Sequence, residues 1–128
     1  MLAAITPPAL RAPFARYSHG IEVPAGARLV FCSGQLGIGA DEVIPESAAE
    51  QAELIFRAIA AILAEAGMGL ADLVRLNAYV TAREHMAAYM AVRDRLVADP
   101  PPASTLVIVS GFTREAFKLE VEAVAAKI

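Results

Sequence analysis

The residues best placed to do chemistry lie in the last fifth of the chain, where Leu119-Glu120-Val121-Glu122-Ala123 alternates apolar and acidic side chains. In a strand successive side chains point to opposite faces, so Glu120 and Glu122 project together from one face. Two carboxylates placed this way either handle water and protons beside a ligand or form a solvated sheet face. Upstream, Pro101-Pro102-Ala103-Ser104-Thr105-Leu106-Val107 brings two hydroxyls to the start of another apolar run. Ser104 and Thr105 could hydrogen-bond a ligand, although Thr is also an ordinary strand residue. Tyr17, near the N-terminus, carries a ring with a polar tip that suits either packing or closure over a ligand.

Other reactive types carry less. Cys32 is the only cysteine and follows mostly apolar residues, so it reads as a small hydrophobe rather than a nucleophile, in a reducing compartment. His19 and His85 are far apart and lack companion ligands, so no metal site is expected. His19, beside Ser18, suits hydrogen bonding at the edge of a cleft. Gly34, Gly37 and Gly39 are too sparse for a phosphate loop, and no cofactor is expected. The net charge is −3 and the basic residues are scattered, which argues against nucleic acid as a partner. The apolar run from Ile55 to Ala66 is short and broken by Arg57 and Glu65, so no membrane partner is expected either. Pro7, Pro8 and Pro13 interrupt Met1 to Phe14, leaving no signal-peptide core; the expectation is a soluble cytoplasmic protein.

The elements that must position these residues follow from periodicity. A chain of 128 residues fits a single domain over 1–128. With 57% hydrophobic residues, some apolar surface is expected to meet another subunit. Residues 1–15 read as an irregular lead-in because of their prolines. Tyr17 to Val23 and Arg28 to Cys32 suit two strands joined as an antiparallel hairpin at Pro24-Ala25-Gly26-Ala27, the second stopping at Ser33-Gly34. Ser47 and Glu50 form a capping box ahead of a helix, in which Leu54, Ile55, Ala58, Ile59, Ile62 and Leu63 recur at helical spacing. Leu73 to Val80 reads as a strand. Thr81 and Glu84 form a second capping box, opening a helix that Asp99 and three prolines stop. Ser104 to Val109, apolar on both faces, predicts a strand buried on both sides, and Phe117 to Ala125 predicts the last strand. The order is β-β-α-β-α-β-β: an α+β mixed sheet with two helices on one face.

Several fragments taken in order carry a resemblance across nearly the whole chain. They are Arg16-Tyr17-Ser18-His19, Phe31-Cys32-Ser33-Gly34-Gln35, Ala66-Gly67, Pro102-Ala103-Ser104-Thr105-Leu106 and Leu119-Glu120-Val121-Glu122-Ala123. Together they resemble the reactive intermediate deaminase (RidA/YjgF) family. The resemblance implies a chorismate-mutase-like α+β fold and a homotrimer with small-metabolite clefts between subunits. It also implies hydrolysis of enamines and imines to ketoacids and ammonia without a cofactor. Glu120 matches the glutamate that positions water, and Tyr17 the tyrosine that closes the cleft. The resemblance makes Ser33 and Gly34 cleft residues and puts Ser104 and Thr105 beside the ligand.

The departures are as informative. The family's carboxylate-gripping arginine falls on Ala103, which offers neither charge nor hydrogen bond. Met90 stands where asparagine is frequent, Arg93 where tyrosine is frequent, and Arg16 where proline is usual; two extra residues lengthen the turn before the last strand. Arg93 or Arg16 could replace the missing guanidinium, while a solvent-facing arginine is the plainer reading of both. Glu122 is expected to be structural, paired with a neighbouring base. These residues suit an enamine or imine deaminase with altered substrate preference, with a non-catalytic ligand-binding or regulatory trimer as the alternative. The endoribonuclease or translation-inhibitor role attached to the family fits the acidic balance poorly.

Overall fold

A computed structural model describes residues 2–128. The strands are β1 (Ala3–Ile5), β2 (Gly20–Glu22), β3 (Arg28–Leu36), β4 (Leu73–Val80), β5 (Ala103–Ile108) and β6 (Leu119–Lys127); the helices are α1 (Ala48–Glu65) and α2 (Glu84–Leu96). The main sheet has the order β3-β6-β4-β5. β6 pairs antiparallel with both β3 and β4, and β4 pairs parallel with β5, so the sheet is mixed as expected.

Each central strand keeps period two. Leu76, Ala78 and Val80 of β4, with Leu119, Val121, Ala123 and Ala125 of β6, are buried in one core with Ala52, Ile55, Phe56, Ile59 and Leu63 of α1. Each such large apolar side chain contributes about 1.5–3 kcal/mol on burial. Helix α2 joins this core through Tyr89, whose ring stacks on Phe56 at 6.1 Å. Ser47 caps α1 as expected, its Oγ accepting from the Glu50 amide at 3.2 Å.

Five local expectations are corrected. The Tyr17–Val23/Arg28–Cys32 hairpin does not form: β2 pairs with β1, and β3 with β6. The proline-rich lead-in therefore contains a strand, because Ala3–Ile5 precedes the first proline. β3 continues past Ser33-Gly34 to Leu36 by shifting register between Cys32 and Gln35, a bulge that absorbs the glycine. The second capping box is absent, since the Thr81 hydroxyl donates to the Lys118 carbonyl at 3.4 Å. Finally, β5 is an edge strand with Val107 and Ile108 exposed, so within one chain it is not covered on both faces.

One buried amide holds the start of α1 to the entry of β6. Gln51 Nε2 donates to the carbonyls of Pro45 (2.8 Å) and Ala116 (2.9 Å), while its Oε1 accepts from the Lys118 amide at 2.9 Å. Gly37 packs so closely on Gln51 that an added Cβ would lie 2.6 Å from the Gln51 Cα, contact that only glycine permits. Gln51→Leu strands two carbonyls and one amide and lowers stability by about 3 kcal/mol, read from the urea unfolding midpoint.

Candidate functional site

The residues singled out in the sequence gather in two places on opposite sides of the sheet. On the face away from the helices, Glu120 lies over the β3 bulge. A Cβ built on Gly34 would come within 2.5 Å of Glu120 Oε2, so the glycine makes room for the carboxylate. Glu122 accepts from the Tyr79 hydroxyl at 2.7 Å and from Asn77 Nδ2 at 3.2 Å. No base pairs with it, contrary to expectation; two neutral donors on β4 satisfy it instead. That hydrogen bond, with some burial, raises the Tyr79 phenol above its usual range.

The polar row continues across the sheet. Arg75 donates from Nε to Asn77 Oδ1 at 2.8 Å and from Nη2 to Thr105 Oγ1 at 2.6 Å. Ala103 and Thr105 pair in register with Arg75 and Asn77, so they share this face. A cavity of ≈ 240 Å³ lies here beside Phe31, Asn77, Glu122 and Val124. Ser33 is exposed in the bulge, its carbonyl accepting from Gln35 Nε2 at 3.0 Å. Cys32, just before it, is buried, and burial pushes its thiol up.

Ser104 and Leu106 point the other way, since they pair in register with the core residues Leu76 and Ala78. With Tyr17, Met86, Met90 and Arg93 they line a cavity of ≈ 280 Å³ between β5, α2 and the N-terminal segment. That segment is fastened alongside β5: the Ser18 amide donates to the Pro102 carbonyl at 3.1 Å, and Ser18 bridges to Ala103. Tyr17 is held against this wall, its hydroxyl accepting from the Phe14 amide at 3.3 Å and its ring meeting His19 edge-on at 6.1 Å. His19 Nε2 is 2.8 Å from the Arg11 carbonyl.

The two arginines part company. Arg16 donates from Nη2 to the carbonyls of Val97 (3.3 Å) and Ala98 (3.0 Å), which makes it a clip on the end of α2. Arg93 is only 2% exposed, so the solvent-facing expectation fails for it. Its Nε and Nη2 donate to Asp94 Oδ1 at 3.0 and 2.9 Å, and its guanidinium lies 5.6 Å from the Tyr89 ring centroid. The Tyr89 hydroxyl is buried without a hydrogen-bond partner. Burial drives its phenol up to about 12, while Arg93 and Ser104 pull in the opposite direction.

Sequence reading missed Arg75, Asn77 and Tyr79 as a set. Their alternation along β4 mirrors that of Glu120 and Glu122 and was the available signal. No sequence signal marks the Tyr89 hydroxyl as unpartnered, because that depends on packing. Among the described residues, no three His, Cys, Asp or Glu side chains are grouped to hold a metal ion.

An α+β chain with these residues in these places defines a class before any comparison. A family model described as "Endoribonuclease L-PSP" matches residues 8–127, so the chain belongs to that family, which is also called RidA/YjgF. It is 33% identical over 101 residues to the mitochondrial protein mmf2 of Schizosaccharomyces pombe, covering 77% of this chain and 80% of that one. RidA from the Antarctic bacterium Psychrobacter sp. PAMC 21119 superposes with a TM-score of 0.73 at 29% identity, covering 91% of this chain and 92% of that one. The fold matches YyfB, a Rid-family protein of unknown function from Yersinia pestis, with a TM-score of 0.83 at 24% identity and 98% coverage of both chains.

Gly34→Ala tests the contact beneath Glu120. The obstacle is the end of a movable side chain rather than backbone, so the protein folds with stability changed by less than about 1 kcal/mol. The Glu120 carboxylate must turn away, which its carboxyl carbon resonance reports by NMR. Glu122→Gln removes the charged acceptor from Tyr79, so the phenol titrates at lower pH in a spectrophotometric titration.

Proposed function

We propose that the chain works as a homotrimer whose clefts between subunits take up a small metabolite and hydrolyse an enamine or imine there, with a substrate preference shifted from that of the family's arginine-bearing members. The observation that supports this most is the division of the site. Glu120 and Gly34 lie on one side of the sheet, while Tyr17 and Ser104 line a cavity on the other. In the proposed assembly, a neighbouring copy brings its Glu120 to a Tyr17. Exposed Leu29, Phe31 and Val107 on the face away from the helices give such copies apolar surface to bury.

The chemistry asks little of the protein. An enamine gains a proton on carbon to become an imine, whose carbon is already electrophilic. Water adds as Glu120 draws off one of its protons and the nitrogen takes a proton from solvent, giving a carbinolamine. Glu120 then protonates that amine, the hydroxyl loses its proton, and the C–N bond breaks to leave ammonia and a carbonyl product. Tyr17 would close over the reacting group, with Ser33, the Gly34 backbone and Thr105 orienting it. Ala103 offers no grip for a carboxylate next to the reacting carbon, so simple α-imino acids are held poorly. The cytoplasm is the proposed compartment.

The test is ammonia release from freshly generated imines. Wild type turns over imines with bulky apolar substituents, and Glu120→Ala lowers kcat by about 100-fold or more. Ala103→Arg improves KM for small α-imino acids. If neither wild type nor Ala103→Arg releases ammonia from any imine, the deaminase reading falls and a ligand-sensing trimer takes its place. A thermal-shift screen of metabolites then reads that binding directly. RNA cleavage that disappears in Glu120→Ala would instead favour the nuclease role.

A further inference from the structure

Consecutive residues of the N-terminal segment divide between two tasks. Phe14, Ala15 and Tyr17 line the cavity between α2 and β5, whereas Arg16 reaches away from it to the end of α2. There its Nη2 donates to the carbonyls of Val97 and Ala98, and the cation complements the partial negative charge of a helix C-terminus. Holding this pose has a cost. Arg16 Nε is buried without a partner, although a side chain swung into water would satisfy it. Among the described residues, the hydrogen bonds that tie residues 14–18 to the rest of the chain run through Arg16 and Ser18. Ser18 donates from its amide to the Pro102 carbonyl and from its hydroxyl to the Pro101 carbonyl.

Tyr17 thus lies between two anchors, and both are fastened to one short connection, residues 97–102, which joins α2 to β5. Its own hydrogen bonds stay local. The hydroxyl accepts from the Phe14 amide, and the Tyr17 amide donates to the Ala15 carbonyl at 3.0 Å, closing a three-residue turn centred on Arg16. Local bonds shape the segment without fixing it over the cavity. We propose that Arg16 is a positioning residue: by clipping the segment to the end of α2 it sets the Tyr17 ring over the cavity between α2 and β5. Ser18 holds the strand side of the segment and Arg16 the helix side, so without the guanidinium the ring is free to swing about Ser18. The proline usual at this position in the family has no donor with which to make such a tie. The inference rests on the reading that Tyr17 closes over the reacting group, and it adds the residue that keeps it in place.

The ring's place can be read without any ligand. Labelling the whole protein with 3-fluorotyrosine gives one fluorine resonance each for Tyr17, Tyr79 and Tyr89, and Tyr17→Phe identifies the first. Arg16→Met keeps the aliphatic stem, leaves the core untouched and moves the Tyr17 resonance towards that of the free amino acid. Arg16→Lys, which keeps a cation for the same carbonyls, moves it less. The Tyr79 resonance, on the other face of the sheet, stays where it is. On an imine that the wild type turns over, Arg16→Met raises KM by about 10-fold and lowers kcat by about 3-fold or less, because Glu120 is undisturbed. In a Tyr17→Ala background the same substitution changes KM by less than about 2-fold, since no ring is left to position. An unmoved Tyr17 resonance in Arg16→Met, or KM effects of Arg16→Met and Tyr17→Ala that multiply, overturns the assignment. A moved resonance with no ammonia released from any imine upholds the clip and sinks only the deaminase reading. Turnover with an unmoved resonance does the reverse.

Discussion

The alternation along β6 is the constraint on which the other elements depend. This strand lies between β3 and β4, so its register sets theirs, and its side chains divide strictly between the helical core and the open face. A slip of one residue would turn Glu120 and Glu122 into the core and expose Leu119, Val121 and Ala123. Burying two carboxylates without partners among aliphatic side chains is strongly unfavourable. The acidic residues thus act as register marks for the sheet as well as candidates for chemistry. Gln51 reinforces the same setting from outside, by fixing the backbone at the point where β6 begins.

The sheet that follows has two unlike surfaces. The helix side is packed and apolar, with a mostly apolar cavity at its β5 margin that Arg93 and Ser104 also line. The open side carries a row of hydrogen bonds from Thr105 through Arg75 and Asn77 to Glu122 and Tyr79, bordered by exposed Phe31 and Leu29. Glu122 is tied into that row through Oε1, while Glu120 lies over a glycine. Two glutamates two residues apart therefore differ in freedom, and the less constrained one is better suited to hold water.

Much of the architecture was legible in the sequence because it rests on period. Strand β4 matches the Leu73–Val80 reading, and α1 with its Ser47 cap follows from local signals, while α2 forms where expected without the capping box read for it. What failed was pairing. Tyr17–Val23 and Arg28–Cys32 are close in sequence and look like a hairpin, yet β6 offers β3 a longer apolar partner and β1 takes β2 instead. The exposure of β5 escaped for a related reason: apolar residues on both faces signal burial by something, and a sequence does not say whether the same chain supplies it. For the site, residue types at Glu120, Tyr17 and Ser104 were readable, but the side of the sheet each occupies was not. Arg93 is the sharpest case. A charged residue on a helix reads as solvated unless the packing of Tyr89 and β5 around it is known.

The division of candidate residues between two sides of one sheet also has a genetic consequence. On the proposed assembly, every cleft draws its carboxylate from one copy and its tyrosine wall from another. Two inactive alleles, one damaged at Glu120 and one at the α2–β5 cavity, would then rescue each other when co-expressed. Some clefts in mixed particles would pair the intact half of each, whereas neither allele alone could form one. The same logic lets a single defective allele spoil clefts in particles that it shares with normal copies.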